Sequence, residues 1–219
     1  MKASFLGTIG FVLFFAVGAA AAQAGQTGSD LDSRVRAFLD GHAGQWRDMN
    51  VSEADGKILY DIIVKNKYTR ALEIGTSTGH SGIWIAWALS KTGGKLITID
   101  IDEGRYREAL ANFREAGLDA FIDARLADAH ELVPALPGPF DFVFCDADKD
   151  WYKNYFIAVL PKLMIGGAFT AHNVSPRQRG RGWGSADFVD YVLSLPNMET
   201  TFAEGSRAGI SVSYKRAEK

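Results

Sequence analysis

The stretch Arg70-Ala-Leu-Glu-Ile-Gly-Thr-Ser-Thr-Gly-His-Ser81 reads as a buried strand that runs into a glycine-rich turn and then a helix. Apolar Ala71, Leu72 and Ile74 suit a strand covered on both faces. Gly75 and Gly79 let the backbone take positive φ and come close to a ligand. His80 or Ser81 then opens a helix over residues 82–89. In doubly wound folds, a strand, glycine turn and helix at the carboxyl edge of a parallel sheet bind nucleotides. The spacing here, G-x-x-x-G-x-x-G, is not the G-x-G-x-x-G of dinucleotide enzymes, and no Lys-Ser/Thr pair follows as a P-loop requires. Glu73 would repel a pyrophosphate, so a nucleoside carrying positive charge is the better match.

Outward from this point, strands and helices alternate. Strands are expected near residues 70–75, 96–101, 122–127, 140–146 and 167–172, with helices near 82–89, 103–115, 129–135 and 151–163. Gly117 stands where a C-cap glycine belongs, and Pro161 ends or bends the helix that contains it. Upstream, Ser29 or Asp30 can cap a helix carrying Leu31, Val35 and Leu39 after a polar linker at 25–28. Ser52 begins another, with Asp55 as its capping-box partner and Ile58, Ile62 and Ile63 facing inward. In the last third, a glycine- and arginine-rich loop (175–184) precedes a helix at 186–193. Strands at 198–203 and 209–215 then turn at Gly205. The sum is an α/β, Rossmann-like, doubly wound sheet of seven mostly parallel strands with a C-terminal antiparallel hairpin.

The chain of 219 residues, 47% hydrophobic and with net charge −2, suits one globular domain. Without a basic excess, nucleic acid is not an expected partner. The single Cys145 rules out an internal disulfide and a cysteine-based metal cluster. Lys2, an apolar run over 5–22 and the ending Ala22-Gln23-Ala24 describe a secretory signal peptide over residues 1–24. This would make the protein periplasmic or secreted. An apolar run of this length can also remain as a membrane anchor, with the domain in the cytoplasm. N-terminal sequencing separates the two, because an intact Met1 defeats export. Residues 25–45 then form a linker and helix, and 46–219 the main domain.

The chemistry is expected beyond the carboxyl ends of the strands. Asp100, ending the second strand, can accept hydrogen bonds from ribose hydroxyls. Asp128, Ala129 and His130 follow the third strand, near where an adenine ring would lie. The fourth ends Cys145-Asp-Ala-Asp-Lys149-Asp150, and the fifth ends in His172 and Asn173. Asp146, His172 and Asn173 thus offer a divalent-metal site of oxygen ligands and one imidazole. The plainer alternative is helix capping by Asp148 or Asp150 beside a hydrogen-bonded histidine.

Together, Glu73-Ile-Gly-Thr-Ser-Thr-Gly-His-Ser81, Thr98-Ile-Asp100 and Asp146-Ala-Asp-Lys149-Asp-Trp-Tyr152 resemble the metal-dependent catechol and caffeoyl-CoA O-methyltransferases. These are class I enzymes that use S-adenosylmethionine. The likeness runs from Trp46 to Val174 and includes Met49-Asn-Val51. It implies that Asp100 holds the cofactor's ribose, that Glu73, Gly75 and Ser81 line its methionine side, and that Met49 and Val51 close over it. Ala129 and Asp146 complete the cofactor set. It also implies a metal at Asp146, His172 and Asn173, a catalytic Lys149, a phenolic or catechol-like acceptor, and a homodimer as one form of assembly.

His172 departs from the pattern, standing where that family has aspartate. Imidazole suits zinc, iron, cobalt or nickel and is tolerated by manganese, whereas magnesium prefers oxygen. The site can therefore keep a metal with a changed preference, work without one with His172 as base, or be inactive. Inactivity corresponds to an exported small-molecule-binding protein on the same scaffold, a reading that also meets the difficulty that S-adenosylmethionine is kept in the cytosol. In the enzymatic reading Lys149 takes the acceptor's proton or stabilises its anion. Trp183 would wall the acceptor pocket and its neighbouring arginines would favour an anionic acceptor, the plainer alternative being a solvated loop, and Trp84 and Trp87 pack in the interior.

Overall fold

The computed structural model describes residues 15–178 and 184–218, with side chains over 28–177 and 184–218. The helices are α1 (Phe15–Gly41), α2 (Glu53–Asn66), α3 (His80–Thr92), α4 (Glu103–Ala116), α5 (Ala129–Ala135), α6 (Tyr152–Val159) and α7 (Ser185–Ser194). The strands are β1 (Arg70–Ile74), β2 (Lys95–Asp100), β3 (Ile122–Leu126), β4 (Phe140–Cys145), β5 (Leu163–His172), β6 (Met198–Phe202) and β7 (Ile210–Lys215). They form one seven-stranded sheet in the order β3-β2-β1-β4-β5-β7-β6. β3 to β5 run parallel, whereas β7 pairs antiparallel with both β5 and β6. The closing hairpin therefore sits on the sheet edge, with its second strand inserted next to β5.

Both faces of the central strands are covered, which is why β1 and β4 read as near-continuous apolar runs. Alternate residues take opposite sides. Leu72, Ile74, Val143 and Cys145 pack under α5, α6 and α7, while Ala71, Phe142 and Phe144 join Leu59, Ile63 and Ile85 on the other face. Trp84 and Trp87 lie in a third cluster, between α1, α3 and α4. Each large side chain buried here contributes about 1.5–3 kcal/mol.

Some boundaries differ from expectation. Helical backbone continues through 25–28, so the helix expected from Ser29 or Asp30 is the later part of α1. That part docks firmly: Val35 and Phe38 are buried, and Arg34 donates to the carbonyls of Arg114 and Glu115 at the end of α4 (2.6 and 2.8 Å). On α2, Leu59 and Ile63 are fully buried while Ile58 and Ile62 are only partly so. α6 ends at Val159, before Pro161, which sits in a 3-10 turn over Leu160–Lys162. β5 begins directly after that turn. Residues 1–14 and Trp183 with its arginines at 179 and 181 lie outside the described residues. Among the described residues, no helix is long and apolar enough to cross a membrane.

Candidate active site

Strand register brings the chemistry together. Ile74 pairs with Ile99 and with Cys145, and Cys145 pairs with Ala171. Asp100, Asp146 and His172, each at or just past a strand end, therefore leave the sheet on one edge, beside the glycine turn. Gly75 and Thr76 donate to the Ile99 carbonyl (3.0 and 3.1 Å), and Asp146 donates to that of Ile74 (2.9 Å). Gly75 has φ +99°, and a Cβ there would come within 3.0 Å of Ala147. At Gly79, also φ +99°, a Cβ would strike Phe113 at 2.7 Å. Only glycine lets the turn take this shape and press against its neighbours.

A cavity of about 460 Å³ opens over this edge, within the range of small-molecule sites. Met49, Gly75, Ser81, Asp100, Ala129 and Asp146, all read as cofactor-binding, line it. Asp100 is gripped by the turn: Ser77 N–H donates to its Oδ2 (2.7 Å) and Asp102 N–H to its Oδ1 (2.9 Å). Met49 and Ile101, each 70% exposed, are apolar side chains left open at the rim. Asp128 caps α5 by accepting from His130 N–H (2.8 Å), while His130 stacks on Trp151 (3.9 Å between centroids) and contacts Asp148 (3.0 Å).

Two expected lining residues lie elsewhere. Val51 is in the core, and its carbonyl accepts from His80 Nδ1 (2.9 Å). Glu73 is wholly buried beneath the turn, on the β1 face toward α3, where Thr98 Oγ1 donates to it at 2.5 Å. Burial pushes its carboxyl up to about 8 against the opposing hydrogen bonds from Ser81 and Thr98, with Asp146 and Asp100 adding to the rise. Glu73 is thus mostly neutral at pH 7. The acidic character of the cavity comes instead from Asp100, Asp128, Asp146 and Asp148, set against Arg105 and Lys149, which are paired with Asp48 and Asp146.

The raised folded value has a consequence for stability. Between the ordinary value of 4.5 and about 8 the folded chain holds a proton that the unfolded chain releases. Stability should therefore fall as pH rises through that window and level off above it. Glu73→Gln, which stays neutral, is expected to remove this decline and to gain most in Tm near pH 8. Calorimetric scans from pH 5 to 9 test it, and parallel Tm profiles for variant and native chain would overturn it.

The segment leading to α2 is fastened to the glycine turn. Ser77 Oγ donates to the Asp48 carbonyl (2.6 Å), Asn50 Nδ2 to Thr78 Oγ1 (2.7 Å), and Arg105 forms a two-pronged pair with Asp48 (2.8 and 2.9 Å). His80 holds it from below: Trp84 Nε1 donates to His80 Nε2 (3.1 Å) and Trp46 stacks on the ring at 4.3 Å. These partners define a neutral imidazole, and burial lowers its pKa.

Beside the cavity, Lys149 Nζ lies 2.7 Å from Asp146 Oδ1 and 3.0 Å from the Tyr152 hydroxyl, which donates to the His172 carbonyl (3.1 Å). Burial, then the nearby Cys145 and Asp146, push the Tyr152 phenol far up, so it stays neutral. His172, 5% exposed, sits between two carboxylates. Its Nε2 faces Asp55 Oδ2 at 3.3 Å and its Nδ1 faces Asp146 Oδ2 at 3.0 Å. The second contact is close but not aligned as a hydrogen bond, so Nδ1 is a buried polar atom without a partner. Burial would lower the His172 pKa, but the Asp146 and Asp55 carboxylates outweigh it and raise it. Among the described residues no three His, Cys, Asp or Glu side chains converge as metal ligands, which leaves Asp146 and His172, with Asn173 adjacent in the chain, as the donor set. Asp55 was legible only as a helix-capping residue. It does meet Ser52, whose hydroxyl donates to its Oδ2 (2.7 Å), yet it is 2% exposed and turned into the site.

The sheet order, the glycine turn and the acidic end of β2 define a doubly wound nucleoside-binding protein of the class I methyltransferase type. The chain belongs to the O-methyltransferase family, whose model matches residues 32–212. It is 31% identical over 140 residues to caffeoyl-CoA O-methyltransferase of Medicago sativa, covering 58% of this chain and 54% of that protein. It is 34% identical over 128 residues to caffeoyl-CoA O-methyltransferase 1 of Zea mays, covering 56% and 49%. The chain thus spans about half the length of the curated relatives it matches. Among solved structures, the O-methyltransferase from Bacillus cereus in complex with SAH superposes with a TM-score of 0.73 at 25% identity, over 87% of this chain and 96% of that one.

Proposed function

We propose that this chain transfers the methyl group of S-adenosylmethionine to a hydroxyl of a small phenolic or catechol-like acceptor, assisted by a divalent cation. One observation carries the reading: the acid-lined cavity over the glycine turn shares a wall, Asp146 to Lys149, with a cluster suited to activating an oxygen nucleophile. The carboxylates around the cavity match a sulfonium cation, and Asp100 is a fixed acceptor for the ribose hydroxyls. The names of the Medicago and Zea relatives, and the SAH in the Bacillus structure, support the donor and acceptor classes.

Methyl transfer is an in-line displacement in which alignment of the oxygen with the methyl carbon supplies much of the rate. A phenol ionises near pH 10, so its proton must be removed or its anion stabilised. The Lys149 ammonium, steered by Asp146 and Tyr152, places positive charge where that anion forms. The lone Nδ1 of His172, buried and facing a carboxylate oxygen, fits a cation held by Asp146, His172 and Asn173. When bound, such a cation would lower the pKa of the acceptor hydroxyls it contacts.

Calorimetric titration of the chain with S-adenosylmethionine, followed by product analysis with a panel of catechols and phenolic thioesters, tests the reading. Micromolar binding and a methylated product are expected. Binding without turnover on any acceptor would assign the chain as a small-molecule-binding protein, and no binding by a folded sample would defeat both.

A further inference from the structure

The family site into which His172 has entered is built from oxygen donors; here a nitrogen takes part, and α2 supplies a carboxylate behind it. Asp55 Oδ2 already accepts from the Ser52 hydroxyl (2.7 Å) and also faces His172 Nε2 (3.3 Å). A carboxylate in that place accepts, so Nε2 carries the ring hydrogen. In a neutral imidazole the other nitrogen then presents a lone pair. That lone pair is Nδ1, 3.0 Å from Asp146 Oδ2 and off the hydrogen-bond line. Two buried acceptors so close repel unless a proton or a metal cation lies beside both, and a cation that binds there takes the proton's place. A separation near 3 Å is also that of two neighbouring ligands on one ion with bonds of about 2.1 Å. A carboxylate behind a ligating histidine is the recurrent means of fixing its tautomer and raising its basicity.

We propose that Asp55 is a positioning residue that aims His172 Nδ1 at the Asp146 site, and that this nitrogen–oxygen pair selects a borderline divalent cation such as cobalt, zinc or manganese over magnesium. The proposal rests on the methyltransferase reading only for the use to which the cation is put. Magnesium demands oxygen ligands and gives up its water reluctantly, whereas imidazole nitrogen binds the later divalent metals well. Asp146 already has Lys149 on Oδ1, which leaves Oδ2, on the His172 side, as its free donor.

The test is calorimetric titration of chelator-treated full chain with cobalt(II) and with magnesium, together with the visible spectrum of the cobalt form. Cobalt should bind at least about a hundredfold more tightly than magnesium, with absorption bands showing nitrogen ligation. Asp55→Asn should weaken cobalt binding about 10–100-fold and leave S-adenosylmethionine affinity unchanged. His172→Asp should shift preference toward magnesium and abolish the nitrogen-ligand bands, a result that stands even if the Asp55 variant does not fold. Equal or tighter magnesium binding by the native chain would overturn the proposal, as would unchanged cobalt affinity in folded Asp55→Asn. A chain that binds S-adenosylmethionine but no cation overturns this proposal alone. One that binds cobalt but not S-adenosylmethionine overturns the methyltransferase reading and leaves the cation site standing.

Discussion

Lys149→Ala is expected to bind S-adenosylmethionine as tightly as the native chain, or slightly more so, and to turn over about 10²–10³-fold more slowly. The direction of the first effect follows from charge. The donor is a cation, and removing an ammonium from the rim of its cavity relieves repulsion while leaving Asp100 and the glycine turn intact. The size of the second follows from the role. A positioned group that takes a proton or stabilises an anion in the transition state commonly contributes 10²–10⁴-fold. Lys149 is well placed for it, with Nζ fixed between Asp146 Oδ1 and the Tyr152 hydroxyl at 2.7 and 3.0 Å. Lys149→Arg keeps the charge but changes its shape and should recover only part of the loss. The measurement is product formation at saturating donor and acceptor beside calorimetric donor affinity. Turnover within threefold of native would remove Lys149 from the chemistry.

Asp100→Ala should weaken S-adenosylmethionine binding about a hundredfold or more. Hydrogen bonds to a charged group are worth about 1.5–3 kcal/mol each, and two ribose hydroxyls would lose their acceptor together. The carboxylate is also structural. Ser77 and Asp102 direct backbone N–H groups to its two oxygens, so the alanine variant also leaves two turn donors unpaired. Asp100→Asn keeps one oxygen and should fall between the two. Equilibrium titration of both variants decides the matter, with their Tm values separating loss of a contact from collapse of the turn. An affinity within threefold of native in a folded Asp100→Ala protein would show that the ribose is held elsewhere.

The sheet was legible in the sequence because its signals are local. Apolar runs of strand length, bounded by glycines or acidic residues, locate β1, β2 and β4 without knowledge of their neighbours. Once a parallel order is assumed, Asp100, Asp146 and His172 fall at strand ends on one edge, so the site residues carried by strands were readable too. What failed to show depends on pairing across distance. Asp55 lies 117 residues from His172, and its position near the start of α2 explains it well enough as a cap. Glu73 was read as a charge in the turn. Strand alternation places it on the inner face with Ala71, and only the packing of α3 above it turns that face into a sealed compartment. His80 behaved likewise: its place after Gly79 suggests a helix start, while its work is to hold the Val51 carbonyl and the Trp46 ring.

The fastening of residues 48–51 to the glycine turn has a consequence in time. Roof and floor of the cavity are tied by Ser77, Asn50, His80 and Arg105, so among the described residues the 48–51 segment and the glycine turn move as one unit. Departure of the spent thioether means loosening both at once, a slower and more cooperative event than opening a free flap. A molecule so tied would hold its nucleoside for long intervals, and its pace would be set by how often it lets go.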